Sequence, residues 1–273
     1  MDEIQQLSWY TMYVKRLGWT VISVDGVFIF LKKIPIYGVL AKIQRPQNLP
    51  YLPKLIPILK KNQVRTVALE PTSETDAQIY TAYLNSLRKF FHLNTSPFLQ
   101  TKTILVDLTA SEDILFSRLT EAKRRAIRRA INLGVTIVHT HSITELISIK
   151  NSSAGLFGEI TTWGVKELTQ VAKAKNYEIL LAKKDGKTVG GILLLFSGTT
   201  AFYWIAGATK IGKKAFAPTL LVWNALLTAK KHGSSHLDFV GVFDERRPKQ
   251  NTAWLGFTKF KEGFGGKEVY YPI

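Results

Sequence analysis

Basic side chains form the densest group of residues in this sequence that could do chemistry. The stretch "KRRAIRRA" places five cations in seven residues, namely Lys123, Arg124, Arg125, Arg128 and Arg129. Charges of one sign on neighbouring helical positions repel one another unless an anion lies near them. Two interpretations follow: a solvated helix face, or a surface that contacts the phosphates of a nucleic acid.

A second group stands near the end of the printed sequence, in "FTKFKEGFGGKEVYY", which starts at Phe257. It combines lysines, phenylalanines and glycines within a few residues. The pattern predicts a strand followed by a tight glycine turn. On a strand Lys259 and Phe260 would point to opposite faces, so Lys259 would lie away from any site formed there. The stretch is therefore either a basic strand and turn or part of a site.

Several common kinds of catalysis are not indicated. The sequence contains no cysteine, which excludes disulfides, a thiolate nucleophile and cysteine-ligated metals. It has no G-x-S-x-G segment, Walker A motif or dinucleotide fingerprint. His139 and His141 would share one face of a strand, but no third ligand stands at a recognisable spacing, so a metal is not expected. We expect no protein-bound cofactor.

The composition is that of a folded protein with a polyanionic partner. The chain has 273 residues, 46% of them hydrophobic, and a formal net charge of +17. Such a charge indicates nucleic acid, an anionic membrane surface or phosphorylated substrates, although a generally basic proteome would also produce it. The beginning, "MDEIQQLSWY", has no apolar run typical of a signal peptide. We expect a cytoplasmic protein that could also work at the inner face of the membrane.

The helices and strands predicted around these residues occur in the same order in both halves of the sequence. In the first half, a helix at Ser8–Arg16 precedes two strands around Asp25-Gly26, a third strand, a helix at 50–61 and the strand "VRTVALE". A further helix is predicted at 75–90. A two-residue Asp-Gly turn between apolar runs is the strongest short hairpin signal.

The second half repeats strand, Asp-Gly turn, strand, strand, helix and strand. "YEILLAKKDGKTVGGILLLF" is followed by "AFYWIAGA", a helix at 218–231 and "HLDFVGV". The uncharged run 190–208 approaches membrane-spanning length, but "SGTT" divides it, so a buried hairpin is predicted instead. Between the halves, Thr109 and Glu112 form a capping-box pattern for one long helix that ends at Gly134.

This order predicts a mixed α/β (α+β) protein of two similar lobes, at residues 1–108 and 109–273. Each lobe resembles the acyltransferase fold called GNAT. GNAT enzymes bind the pyrophosphate of acetyl-CoA with a Q/R-x-x-G-x-G/A loop, and the loops at the equivalent places, "KIQRPQNLP" and "ATKIGKKAFAP", do not contain it. Use of acetyl-CoA is therefore not expected.

Segments along nearly the whole chain resemble the FemABX aminoacyltransferases. "RRAIRRAINLGV" is similar to that family's R-x-x-I-R-x-A-x-x-x-G-V, and "FKEGFGG" is similar to its closing F-K-x-x-F-G-G. "FYWIAGA", "APTLLVWNALLTAKKHG" and "LDFVGV" follow the family's order between them. The resemblance implies two GNAT-like lobes. It also implies transfer of an amino acid from aminoacyl-tRNA to an amine on the stem peptide of a peptidoglycan precursor, either lipid II or UDP-MurNAc-pentapeptide.

The resemblance also implies roles for individual residues. Lys261 would stabilise the oxyanion that forms when an amine attacks the aminoacyl ester, with Phe260 shaping the pocket and Asp238 at a matching family position. For binding of the precursor we single out Lys33, Arg45 and Tyr203. Lys33 and Arg45 follow strands of the first lobe and could meet a diphosphate, and Tyr203 lies in the strand that matches the family's aromatic-rich segment. The basic helix would bind the tRNA.

Two hypotheses of other classes remain open at this stage. One is a GNAT-like acyltransferase that uses a CoA thioester, against which the missing pyrophosphate loop argues. The other is a non-catalytic RNA-binding protein of the same fold, which would bind tRNA whether or not it is aminoacylated.

Overall fold

The computed structural model describes residues 3–154, 162–250 and 252–273. The chain divides into two compact units, the first formed by Met1–Lys102 with Val269–Ile273 and the second by Thr103–Glu268. These units differ from the predicted lobes 1–108 and 109–273 at both ends of the second unit. Residues 103–108 belong to the second unit, and the last five residues belong to the first.

The first unit is a five-stranded sheet with helices. Its strands run in the order β1-β2-β3-β4-β5. The elements in chain order are α1 (Ser8–Arg16), β1 (Thr20–Val24), β2 (Val27–Ile34), β3 (Gly38–Gln44), α2 (Leu52–Lys61), β4 (Val64–Glu70), α3 (Ala77–Arg88) and β5 (His92–Leu93). A buried apolar cluster that includes Ile43, Leu55, Leu59, Val67 and Leu87 forms its core.

The second unit contains most of a seven-stranded sheet with the order β12-β6-β11-β10-β9-β8-β7. Its first elements are β6 (Lys102–Asp107), α4 (Glu112–Arg118), α5 (Glu121–Asn132), β7 (Thr136–Thr140), α6 (Thr144–Ala154) and α7 (Val165–Val171). They are followed by β8 (Tyr177–Lys184), β9 (Lys187–Ser197), β10 (Thr200–Ala208), α8 (Lys210–Lys214), α9 (Ala217–Lys231), β11 (His236–Asp238), α10 (Leu255–Glu262) and β12 (Lys267–Tyr270).

The repeated order predicted from the sequence is confirmed. Both Asp-Gly pairs have positive φ at each residue, Asp25 (50°) with Gly26 (81°) and Asp185 (50°) with Gly186 (71°). Two positive φ angles define the hairpin turn whose twist matches that of the flanking strands. In each unit the third strand of the repeat is parallel to the strand that follows the helix, β3 to β4 and β10 to β11.

The long helix predicted from Thr109 to Gly134 is wrong, because the structure has two helices there. The chain is extended at Leu119 and Thr120, with ψ of 146° and 153°. The amide of Thr120 donates to the carbonyl of Gly263 at 3.0 Å instead of to its own helix. The predicted cap is also displaced, since Ser111 caps α4 and Thr109 hydrogen-bonds to Asp107.

The strand predicted at the closing phenylalanines and lysines is also wrong, because Leu255–Glu262 is the helix α10. Its buried residues are Thr258 and Lys261, spaced as neighbours on one helix face. Thr258 Oγ1 accepts from the amide of Phe243 at 2.8 Å and donates to the carbonyl of Trp254 at 2.8 Å. Polar side chains at buried positions hide the helical periodicity from a hydrophobicity pattern.

The uncharged run 190–208 forms β9 and β10, as predicted, and these strands are antiparallel neighbours. In the part of the chain that the structure describes, no helix is long and apolar enough to span a bilayer.

Candidate active site

The candidate site lies where two neighbouring strands of the second unit separate. β10 pairs with β11 only from Thr200 to Phe202, opposite His236 to Asp238. β11 ends there, whereas β10 continues to Ala208 and has a bulge after Tyr203. The bulge lies in the pairing of β10 with β9 and re-aims the side chains of β10 near Tyr203, whereas the ladder between β10 and β11 ends at Phe202.

A strained turn follows the end of β11. Val240 has φ of 51° and Gly241 has φ of 102°. A β-branched residue in the left-handed region is energetically unfavourable and is retained only where the surroundings impose it. The carboxylate of Asp238 supports the turn, since its Oδ1 accepts from the amide of Val240 at 2.6 Å and from Thr103 Oγ1 at 2.5 Å. Thr103 Oγ1 in turn accepts from the amide of Gly241 at 3.2 Å.

Lys261 points from α10 into this turn. Its side chain is buried, with 8% of the residue exposed. The ammonium donates to the carbonyls of Phe239 at 2.9 Å and Gly241 at 2.7 Å, one on each side of Val240. The turn therefore holds a buried cation by two carbonyl dipoles, in a place where an isolated charge would be unfavourable.

The surroundings of Lys261 change its proton affinity. Burial lowers the pKa of its ammonium from 10.5 to about 8, because removal from water penalises the charged form. The Asp238 carboxylate opposes this change, and the nearby charge of Lys150 adds to it. Lys261 is thus still largely protonated at neutral pH, but its pKa lies close to the working range of an enzyme.

Aromatic rings enclose the ammonium. Its nitrogen lies 5.0 Å from the ring centroid of Phe257, 5.7 Å from that of Tyr203 and 5.9 Å from that of Phe239. Phe257 stands one helical turn before Lys261, so both side chains lie on one face of α10. Burial raises the pKa of the Tyr203 hydroxyl, which therefore stays neutral. The cation lies among π-faces that stabilise positive charge.

A pocket of about 240 Å³ adjoins this cluster through Tyr203. Apolar residues of β9, β10 and α9, including Ile192, Ala206 and Leu221, line it together with Lys150 of α6 and Lys213 of α8. Burial lowers the pKa of Lys150, and the charge of Lys213 lowers it further. Two lysines from separate helices thus lie close enough to interact at a pocket with an apolar lining, an arrangement that favours a ligand with an anionic group.

Phe260, which was predicted to shape the pocket beside Lys261, makes its ring contacts with other residues in this structure. Its ring contacts Phe264, with centroids 5.2 Å apart, and the Lys123 ammonium lies 3.7 Å from its centroid. Burial lowers the pKa of Lys123 to about 8. The rings measured near Lys261 are those of Phe257, Tyr203 and Phe239, so Phe260 packs α10 against α5 in this structure.

The five cations of α5 fall into two groups. Lys123 lies over Phe260, and Arg124 donates to the carbonyls of Ser117 at 2.7 Å and Leu119 at 2.8 Å and pairs with Glu121. These two side chains fasten the helix to its neighbours. The other three are exposed, namely Arg125, Arg128 and Arg129. The surface that could meet phosphates is therefore smaller than the sequence suggested.

Lys33 and Arg45 lie at opposite ends of the β2–β3 hairpin. Lys33 pairs with Val39 at the start of β3, whereas Arg45 follows its end. At ~3.3 Å per residue the six steps from Val39 to Arg45 span about 20 Å, so the two side chains do not meet one diphosphate. Arg45 is 2% exposed and donates to the carbonyls of Pro71 and Gln100, with its guanidinium stacked on Tyr271. Its contacts are structural.

The structure thus brings Lys261, Asp238 and Tyr203 together and leaves Phe260, Lys33 and Arg45 elsewhere. Sequence reasoning missed Phe257, Lys150 and Lys213. The spacing of four residues between Phe257 and Lys261 would have placed both on one face, had this segment been predicted as a helix. No local signal marks Lys150, because α6 reaches the pocket only through tertiary packing. Among the described residues, no group of three or more histidine, aspartate or glutamate side chains could hold a metal ion.

Comparison with known proteins finds a family match for the segment that contains this arrangement. Residues 164–271, which include Lys261, Asp238 and Tyr203, match the FemAB family. No curated protein matches the chain by sequence. The fold is similar to that of FemX, with a TM-score of 0.76, 15% identity and coverage of 99% of this chain and 90% of FemX.

Two further solved structures share the fold. A C-terminal domain described as that of a lysylphosphatidylglycerol synthetase from Agrobacterium fabrum has a TM-score of 0.65 and 15% identity, covering 95% of this chain and 84% of that domain. A tandem GNAT protein from the clavulanic acid biosynthesis pathway has a TM-score of 0.54 and 10% identity, covering 92% of this chain and 80% of that protein. Residues 164–271 thus match the FemAB family, and the fold of the whole chain is similar to that of proteins with two GNAT-like lobes.

Proposed function

We propose that the protein transfers an amino acid from aminoacyl-tRNA to an amine on the stem peptide of a peptidoglycan precursor. The precursor would be lipid II or UDP-MurNAc-pentapeptide. The observation that carries this proposal is the buried ammonium of Lys261, held between the carbonyls of Phe239 and Gly241 in the segment that matches the FemAB family. The match of residues 164–271 to the FemAB family supports the reaction class, and the geometry supports the role of the lysine.

The proposed reaction is the aminolysis of an ester. The acceptor amine attacks the carbonyl carbon of the aminoacyl ester, the C–N bond forms and an oxyanion develops on the carbonyl oxygen. Collapse expels the ribose oxygen of the tRNA, which takes a proton, while the amine loses one. An ammonium has three hydrogens, and two of those of Lys261 point at carbonyls. The third can donate to the oxyanion, in a setting that water does not screen.

Asp238 acts in this proposal by positioning. Its Oδ1 accepts from the Val240 amide and from Thr103 Oγ1, which supports the turn that holds Lys261. Its negative charge also raises the pKa of Lys261 against the effect of burial. Removal of the carboxylate would therefore misplace the ammonium and favour its neutral form. The proton of the attacking amine would leave through substrate groups.

The charges near the site support a phosphate-bearing donor. Lys150 and Lys213 line the pocket next to Tyr203, and Arg125, Arg128 and Arg129 stand exposed on α5 in the same unit. A tRNA offers phosphates to both groups, and neutralising them releases counterions. In this proposal Tyr203 contacts the substrate. Precursor binding by Lys33 or by Arg45 stays a prediction from the sequence, without the shared diphosphate. The donor is made in the cytoplasm, where the proposal locates the reaction.

The fold likeness to a lysylphosphatidylglycerol synthetase domain favours one second candidate. In that case the aminoacyl group would pass to the hydroxyl of a phosphatidylglycerol headgroup instead of a peptide amine. Lys261 would serve the same oxyanion, since ester aminolysis and transesterification develop negative charge on the same oxygen. The acceptor therefore distinguishes the two candidates, and the catalytic lysine does not.

The test is a transfer assay with separate acceptors. The purified protein is mixed with the aminoacyl-tRNAs and, in turn, with UDP-MurNAc-pentapeptide, lipid II and phosphatidylglycerol vesicles, and product masses are measured. We expect a mass gain of one aminoacyl residue on a peptidoglycan precursor. A gain on the phospholipid alone would establish the second candidate. Transfer from acetyl-CoA, or tRNA binding without transfer to any acceptor, would overturn the proposal.

A further inference from the structure

The turn between β2 and β3 of the first unit exposes two apolar side chains at the tip of a hairpin. Ile36 is 96% exposed and Tyr37 is 73% exposed. The amide of Tyr37 donates to the carbonyl of Pro35 at 2.8 Å, and Ile36 between them has φ of 70°. A β-branched residue is rare in the left-handed region, where glycine or asparagine is the usual choice. Nothing described in the turn's own packing accounts for an isoleucine at this position.

Basic side chains surround this tip, because the topology brings the ends of two helices and the starts of two strands to the same end of the sheet. α2 leads into β4, which runs parallel to β3, and Val64 pairs with Val39. α3 likewise leads into β5, where His92 pairs with Thr66. The exposed basic residues at this end are Lys33, Lys60, Lys61, Arg65, Arg88 and Lys89. We call these six residues with Ile36 and Tyr37 the hairpin-tip surface.

Direct contacts support this grouping. The Lys60 ammonium lies 4.4 Å from the ring centroid of Phe90, so the ends of α2 and α3 are adjacent. A Cβ added to Gly38 would lie 3.2 Å from Cβ of Arg65, so the hairpin tip and the start of β4 are adjacent too. Phe90 is itself 48% exposed, which adds a third apolar side chain beside the cations.

The carboxylates described in the first unit lie at its other end. Asp25 stands in the β1–β2 turn, where it pairs with Lys54, and Glu70 ends β4 and accepts from the amides of Phe98 and Leu99. Glu74 and Asp76 follow β4, and Glu3 lines a pocket with Asp25 and Arg45. The charge of this unit is therefore polarised, with the hairpin-tip surface as its positive end.

We propose that the hairpin-tip surface binds the unit to an anionic lipid bilayer, with Ile36 and Tyr37 inserted at the headgroup level and the six cations on lipid phosphates. Interfacial membrane binding combines buried apolar area with attraction to anionic lipids, and this surface offers both. A nucleic acid would use the same cations and could stack on Tyr37, but it would gain nothing from the exposed Ile36. The inference does not depend on the transfer reaction, although it favours a lipid-linked acceptor.

The first test is co-sedimentation with vesicles, without any donor or acceptor. Wild-type protein is expected to bind vesicles of phosphatidylcholine with phosphatidylglycerol and to bind pure phosphatidylcholine weakly. Ile36→Asn with Tyr37→Ser should weaken binding about tenfold, the scale of exposing the apolar area of one large side chain again. Asparagine tolerates the positive φ, so the fold is retained. Ile79→Ser on α3, which alters a side chain that is 62% exposed, is the matched control and should bind like the wild type.

Charge variants test the second half of the proposal. Lys60→Gln with Lys61→Gln should weaken binding to anionic vesicles about tenfold or more, and added salt should erase the difference. The control pair, Lys173→Gln with Lys187→Gln in the second unit, should have a much smaller effect. If Lys60 and Lys61 matter but the tip variant binds like the wild type, the surface attracts polyanions in general and the proposal is overturned.

Insertion itself can be measured because the chain has no cysteine. Ile36→Cys and, as control, Ile79→Cys are labelled with an environment-sensitive dye. Anionic vesicles should shift the emission of the label at position 36 to the blue and leave the label at 79 unchanged. No shift at 36, or a shift produced equally by tRNA in the absence of lipid, would overturn the assignment to a bilayer.

Discussion

The ammonium of Lys261 donates a hydrogen bond of 2.7 Å to the backbone carbonyl of Gly241. Lys261 belongs to α10 and Gly241 to the turn after β11, where Val240 adopts a left-handed conformation and the carbonyls on both sides of it accept from the lysine. The Asp238 carboxylate holds the same turn through the Val240 amide. The position of the Lys261 ammonium thus depends on the backbone geometry of the turn at Val240 and Gly241. Its proposed function should therefore be sensitive to changes in the lysine or in the turn.

Replacing Lys261 should abolish most of the transfer activity. Lys261→Met keeps the volume of the side chain and removes the proposed donor to the oxyanion. We expect the single-turnover transfer rate to fall by a factor of about 10²–10³, the cost of losing one such donor. Lys259→Met, on the exposed side of the same helix, is the control and should keep the wild-type rate. A Lys261→Met rate within a few-fold of wild type would remove Lys261 from the mechanism.

The pH dependence of transfer should contain the titration of Lys261. Burial lowers its pKa to about 8, so the donor loses its proton as the pH rises through that value. The rate should therefore fall above about pH 8, while the need for a neutral attacking amine makes it fall at low pH. The high-pH limb should be absent from the residual rate of Lys261→Met. A limb that persists unchanged in this variant would belong to another group.

The free energy of unfolding should also depend on pH above about pH 8, but it should rise with pH where the transfer rate falls. The pKa of Lys261 is about 8 in the folded state and 10.5 for the ordinary side chain, so between these values the unfolded state binds more protons. The free energy of unfolding contributed by this residue therefore rises from about pH 8 to 10.5. Urea unfolding of wild type and Lys261→Met across this range gives the difference. A constant difference would mean that the lysine is not desolvated.

Gly265 and Gly256 should differ in how well they tolerate replacement by alanine. Gly265 has φ of 72°, and a Cβ there would lie 2.9 Å from the backbone oxygen of Arg118. Because a backbone atom cannot easily move away, Gly265→Ala should lower the free energy of unfolding by about 2 kcal/mol. Gly256, within α10, has no atom within 4 Å of such a Cβ. Gly256→Ala should instead stabilise the protein slightly, and equal effects of both changes would contradict the geometry.

The cations of α5 should separate into binding and structural residues. Arg125→Gln and Arg128→Gln remove exposed charges and should each weaken tRNA binding, with the slope of log affinity against log salt falling by about 0.7–0.9 for each phosphate that is no longer neutralised. Arg124→Gln removes the hydrogen bonds to the carbonyls of Ser117 and Leu119 and should lower the melting temperature. Filter binding over a salt series, together with thermal unfolding, distinguishes these outcomes. Loss of stability from Arg125→Gln would contradict this division.

Local chemistry alone determined the repeated framework of this protein. Asp25-Gly26 and Asp185-Gly186 specify hairpins because the turn needs two positive φ angles, which these residues accept at little cost. The helices and strands around them follow from the period of their apolar residues. The resemblance of the closing segment to a known family also depended only on residue order, and it selected Lys261 before any contact was known.

Only the tertiary structure decided how the site is built. The break at Leu119–Thr120 depends on the Gly263 carbonyl, which is more than a hundred residues away in the chain. α10 is a helix whose buried residues are Thr258 and Lys261, and both have hydrogen-bond partners in the distant segment from Phe239 to Phe243. A polar residue is buried when distant groups satisfy its hydrogen bonds. Such partners lie outside any sequence window, which explains why Lys150 and Lys213 were not identified from the sequence and why a strand was predicted in place of α10.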